Sequence, residues 1–282
     1  MKIGCGTVTF RQYPLEEALA SIRRAGYEYI EPQATPPFCP HIDVDMDHPG
    51  EFRQMIEKHG FRGATALWST HGAIIPDGKS VEYAKKCLRW AKEAGIPVVN
   101  IGDGFKPKEM SEHEAWAVLR ERLLEILSVA EECEVFLAIE PHGTFSLTAE
   151  GLMRTMALSD SPWLGINYDT ANVHRAAYVE STGDRSAWRS TNAKEDEVDV
   201  LRQVVDHVVH VHVKDVRGRQ CVTLGAGDVD VVGCLKVLHE HGYRGVLSLE
   251  TEGDFSIEDG EVIIRDSRQF LLQALAALEQ QA

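Results

Sequence analysis

The sequence predicts a single (β/α)₈ TIM barrel spanning residues 1–282 as one domain. Three observations predict it. The length of 282 residues is close to that of one such barrel. Four times, an amphipathic segment ends in glycine and runs into a short apolar stretch. Eight apolar runs of strand length alternate with eight segments of helical periodicity.

The glycine-stopped units are Arg24-Ala25-Gly26-Tyr27, Lys58-His59-Gly60-Phe61, Glu93-Ala94-Gly95-Ile96 and Glu240-His241-Gly242-Tyr243. Glycine closes a helix because the left-handed residue there has no Cβ to clash. The strands are expected near 2–6, 28–32, 62–67, 97–101, 135–140, 164–168, 208–213 and 246–250. Helices are expected near 14–25, 50–59, 80–94, 111–132, 148–159, 195–206, 229–241 and 262–279. Leu15, Leu19 and Ile22 mark the buried stripe of the first helix. Trp116, Leu119, Leu123, Ile126 and Ala130 mark that of the fourth, opened by Ser111 and Glu114 at capping-box spacing. A doubly wound open sheet is the alternative fold, but no glycine-rich dinucleotide fingerprint follows the first strand. The long polar stretch from Ala171 to Lys194 reads as a candidate lid.

Hydrophobic residues make up 44% of the chain, enough for a large core. No apolar run reaches the roughly 18 residues a membrane-spanning helix needs, and the opening residues do not form a signal peptide. A cytoplasmic location is therefore expected, with the six scattered cysteines reduced. A net charge of −15 repels phosphate backbones, so neither nucleic acid nor membrane is an expected partner.

In such a barrel, chemistry sits where strands end. The fifth strand ends in Glu140, the sixth in Asp169 and the eighth in Glu250, and the seventh carries His212 near its end. Carboxylates are costly to bury without a partner. Three of them with one imidazole, delivered to one rim by consecutive strands, suit one divalent metal ion, Mn²⁺ first, with Mg²⁺, Co²⁺ or Zn²⁺ as alternatives. Taken singly, each residue also fits a solvated rim position. His210 and His212 share a strand face, so one of the two also fits a packed core histidine.

The stretches Ala138-Ile139-Glu140-Pro141-His142-Gly143, Asn167-Tyr168-Asp169-Thr170-Ala171-Asn172 and His210-Val211-His212-Val213-Lys214-Asp215 resemble the xylose-isomerase-like sugar isomerase and epimerase superfamily. So do Leu224-Gly225-Ala226-Gly227-Asp228-Val229-Asp230 and the run from Gly242 to Glu252. The resemblance covers essentially the whole chain. It implies that Glu140, Asp169, His212 and Glu250 hold the metal, and that Glu140 and Glu250 are the acid/base pair on opposite sides of the substrate. It places Arg217 near a substrate-contacting arginine. His142 and His174 are further candidate substrate contacts, and Glu31, His71 and Trp68 candidate pocket walls. Asn172 stands where many members carry a histidine, which departs from the pattern.

The chemistry so implied is metal-assisted proton abstraction beside the carbonyl of a small keto sugar or polyol, giving isomerisation or epimerisation through an enediolate. The alternative is elimination from a 3-keto sugar or inosose by a dehydratase or lyase. A third reading is a non-catalytic sugar-sensing barrel. The resemblance leaves a homo-oligomer open.

Overall fold

The computed structural model describes residues 1–69, 73–179, 188–190 and 194–280. Eight parallel strands form the barrel: β1 (Lys2–Gly6), β2 (Tyr29–Glu31, continuing as Gln33–Thr35), β3 (Gly63–Ala64, continuing as Leu67–Ser69), β4 (Val98–Gly104), β5 (Phe136–Gly143), β6 (Leu164–Asp169), β7 (Val208–Val213) and β8 (Val246–Leu249). β2 and β3 are each interrupted, and the register passes from Tyr29 opposite Gly63 to Gln33 opposite Trp68. The ring closes because β1 pairs with β2 on one side and with β8 on the other, from Lys2 opposite Val246 to Cys5 opposite Leu249.

The outer layer contains α1 (Leu15–Arg24), α2 (Pro49–Lys58), α3 (Lys79–Ala94), α4 (Glu112–Cys133), α5 (Ala149–Met156), α7 (Glu197–Val204), α8 (Val231–His241) and α9 (Ile257–Glu279), while the short α6 (Thr170–Arg175) follows β6 directly at the mouth of the barrel. The capping box at Ser111 and Glu114 forms, and Gly95 and Gly242 close α3 and α8 with positive φ. Each expected strand and helix is present within a few residues of its expected bounds, except that α9 begins earlier, capped by Ser256. Gly260 in its first turn obscures that start in the sequence. The glycine is there for packing, since a Cβ would stand 2.6 Å from the Phe10 ring.

The strands sort their side chains by alternation. Val211, Val213, Ile139, Leu137, Ile166, Tyr168, Leu247 and Leu249 join the main apolar core. The opposite residues meet inside the barrel. Ala66, Val98 and Ala138 form a small apolar plug there. Farther along the same strands the interior is polar: Asn100, Glu140, Asn167, Asp169, His210, His212 and Ser248 are all buried. The change from apolar to polar along one barrel axis is what locates the site.

Candidate active site

Strand ends bring four side chains together. Ligand atoms of Glu140 (β5), Asp169 (β6), His212 (β7) and Glu250 (just past β8) all lie within 4.8 Å of one another, and all four residues are buried. His212 Nδ1 faces the three carboxylates, 3.4 Å from Glu140 Oε1, 3.5 Å from Glu250 Oε2 and 4.0 Å from Asp169 Oδ2. Asp169 does double duty: its Oδ1 caps α6, accepting from the backbone N–H groups of Ala171 and Asn172. Its Oδ2 remains directed at the cluster.

The second layer uses amides. Asn167 Nδ2 lies 3.4 Å from Glu140 Oε2 and 3.2 Å from His212 Nδ1. Asn172 Nδ2 donates to Glu140 Oε1 at 3.2 Å. The residue that departs from the family pattern therefore touches a candidate acid/base group directly. Trp68 packs its ring against His142 at 5.3 Å and His212 at 6.1 Å between centroids. His142 is buried beside the cluster on the same strand as Glu140.

Lys214 is the main residue the sequence reading left without a role. It is buried, and its Nζ lies 2.5 Å from Glu250 Oε2, 3.0 Å from Asp169 Oδ2 and 3.1 Å from Glu252 Oε2. The signal was available: His210, His212 and Lys214 share one strand parity, so the lysine follows the histidines toward the cluster. Glu252 was missed because it lies past the strand, where no periodicity constrains direction.

Burial and charge set the protonation states. Burial pushes the Glu140 carboxyl upward; His212 opposes this and Glu250 adds to it, and the net position is well above the usual range. Glu250 is also pushed up by burial, but Lys214 and His212 outweigh this and hold it well below. Burial disfavours a charged His212, yet Glu31, Glu250 and Glu140 raise it well above an ordinary histidine. Three buried carboxyl groups and one imidazole converge there, and oxygen-rich donors with one nitrogen fit a divalent cation that displaces their protons.

Two expected substrate contacts have other partners in the structure. His174 Nδ1 pairs with Glu197 Oε2 at 2.9 Å, tying α6 to α7. Arg217 is exposed in the hairpin formed by Asp215–Arg217 and Gln220–Val222, and it donates to the Ala226 carbonyl. Glu31 belongs to the interior of the barrel. His71 and much of the expected lid from Ala171 to Lys194 lie outside the described residues.

Residues 19–274 match the family described as xylose isomerase-like TIM barrel. The chain belongs to that family. Among its relatives is an inosose dehydratase of Clostridium perfringens (strain 13 / Type A), 28% identical over 173 residues, covering 54% of this chain and 52% of that protein. The chain thus spans about half the length of that relative. A solved D-tagatose 3-epimerase-like protein superposes with a TM-score of 0.78 at 19% identity, covering 100% of this chain and 99% of the other. A solved L-ribulose 3-epimerase gives 0.77 at 18% identity, covering 100% and 97%. At those identities the two structures establish the shared barrel. None of the described helices is long and apolar enough to cross a membrane.

Proposed function

We propose that this member of the xylose isomerase-like family is a divalent-metal-dependent isomerase or epimerase of a small, non-phosphorylated keto sugar or polyol. The observation that carries the reading is the convergence of Glu140 and Glu250, from β5 and β8, on the same buried histidine nitrogen at 3.4 and 3.5 Å. Glu140, Asp169, His212 and Glu250 would hold the metal, with Mn²⁺ the first candidate. When bound it supplies Lewis-acid polarisation of the substrate carbonyl.

The protein's own groups do the remaining work. One glutamate takes the proton from the carbon beside the carbonyl, and its opposite number returns a proton to that carbon or the adjacent one. Asn172 and Asn167 orient Glu140, and Lys214 orients Glu250, so neither carboxylate has to be ordered during the reaction. Trp68 and His142 pack against each other to form one wall of the site.

Lys214 favours a second reading, dehydration. If the next carbon bears a hydroxyl, the electron pair left by the departing proton forms a carbon–carbon double bond as the C–O bond breaks. The hydroxyl leaves as water with a proton from the Lys214 ammonium. The Clostridium perfringens relative named as an inosose dehydratase supports this reading.

One experiment separates them. The metal-supplemented protein is incubated in D₂O with L-ribulose, D-tagatose and an inosose, followed by NMR and ultraviolet absorbance. A new stereoisomer or aldose carrying deuterium supports the first reading. A conjugated enone supports the second. Neither product, with metal bound, would leave the sugar-sensing barrel as the better account.

A further inference from the structure

We infer that Glu31 is a positioning residue that fixes how His212 meets the metal, a role resting on the metal-site reading above. Glu31 ends the first segment of β2, across the barrel from β7, and is 1% exposed. Its Oε1 lies 2.7 Å from His212 Nε2 and 2.8 Å from Asn100 Nδ2. Its Oε2 lies 2.9 Å from His210 Nε2. One buried carboxylate thus receives three side-chain donors from two other strands, β4 and β7.

This arrangement dictates a tautomer. An ionised carboxylate only accepts hydrogen bonds, so both histidines carry their protons on Nε2. A metal that displaces the other proton of His212 then finds the lone pair on Nδ1, the nitrogen that faces Glu140, Asp169 and Glu250. Carboxylate, imidazole and metal position fall in series, as in other sites where an outer carboxylate orients a histidine ligand. His210, adjacent in parity but one turn of the pleat deeper, holds the second oxygen of Glu31 and so prevents the carboxylate from rotating away.

Glu31→Gln tests the inference. Glutamine keeps the shape but accepts through one oxygen only, so it cannot serve Nε2–H groups on both histidines. The expected result is a 10- to 100-fold weaker Mn²⁺ affinity by titration calorimetry. In long-range ¹H–¹⁵N spectra of the Zn²⁺-loaded wild type, His212 should be metal-bound through Nδ1 with a protonated Nε2, and this pattern should be lost or mixed in the variant. A His210→Gln variant, which retains an N–H donor for Glu31, should bind Mn²⁺ within a few-fold of wild type. Unchanged affinity in a folded Glu31→Gln protein, or ligation through Nε2 in the wild type, would overturn the role of Glu31 while leaving the metal site standing. Absence of Mn²⁺ binding by the wild type would overturn both.

Discussion

Lys214 concentrates the residue-scale argument. A buried ammonium between three carboxylates contributes most where no other cation shares the site, because removing one partner of a buried pair strands the rest. Lys214→Met should therefore destabilise the metal-free protein by about 3–5 kcal/mol, read as a lower urea midpoint in EDTA. The same variant should retain exchange of the substrate's α-proton while losing any dehydration, if Lys214 is the acid that releases water. Equal loss of both activities would assign the lysine to orientation of Glu250 alone. Glu140→Gln, made beside it, should lower turnover by a factor of about 10²–10⁴ because a proton carrier is gone.

The strand-end loops act as elements rather than as single residues. Asp103, at the end of β4, accepts from the backbone N–H of Phe145 at 2.7 Å and from Ser146 Oγ at 2.5 Å, stitching β4 to the turn after β5. Burial pushes its carboxyl from 3.8 up to about 6, and the hydrogen bonds from Ser146 and Phe145 only partly oppose this. The folded protein therefore binds this proton more tightly than the unfolded chain. Its stabilising contribution is complete below pH 3.8 and is lost as pH rises through about 6. Asp103→Asn should flatten the fall in stability across that window by up to about 1.4 kcal/mol per pH unit, measured by urea unfolding at a series of pH values. An unchanged slope would show that Asp103 is ionised throughout.

A second loop clamp explains two motifs at once. Asp215, the last residue of the His210-to-Asp215 motif, accepts from the backbone N–H groups of Val216, Gly225, Gly227 and Val229. The motif from Leu224 to Asp230 is thus the other half of the same clamp. A Cβ on Gly227 would stand 2.1 Å from Asp215 Oδ1. Gly227→Ala should cost roughly 1–3 kcal/mol, and with Asp215→Asn the two losses should not add. Simple addition in the double variant would mean that the clamp is not shared. These elements also show what was legible in the sequence. The barrel and the four converging residues could be read because strand periodicity and glycine stops are local. The roles of Glu31, Lys214 and Asn172 depend on which strands face each other across the ring, a long-range fact that one strand's pattern does not contain. The hairpin carrying Arg217 and the short α6 escaped for a different reason. They are loop structures set by caps such as Asp169 and Asp215, and nothing in their spacing marks those carboxylates as caps.

At the scale of the whole molecule, the candidate metal site joins the last four strands of the ring, β5 through β8, before β8 closes on β1. Without a metal ion these strands converge on acidic groups that, among the described residues, Lys214 and the imidazole of His212 offset. A divalent ion bound there favours the folded chain alone, because the four ligands lie 110 residues apart at their extremes (Glu140 to Glu250) and meet only in the closed barrel. Metal at about 100 times its dissociation constant should then add about 2.7 kcal/mol to stability. In a chain of this size that corresponds to a rise of roughly 5 °C in Tm, reversed by EDTA. Because the ligands must shed their protons to bind, the rise should shrink as pH falls. His212→Ala and Glu250→Gln should show little of it. An equal rise in both variants would place the stabilising ion elsewhere on this acidic surface and remove the physical basis for a metal-assisted reaction at the mouth of the barrel.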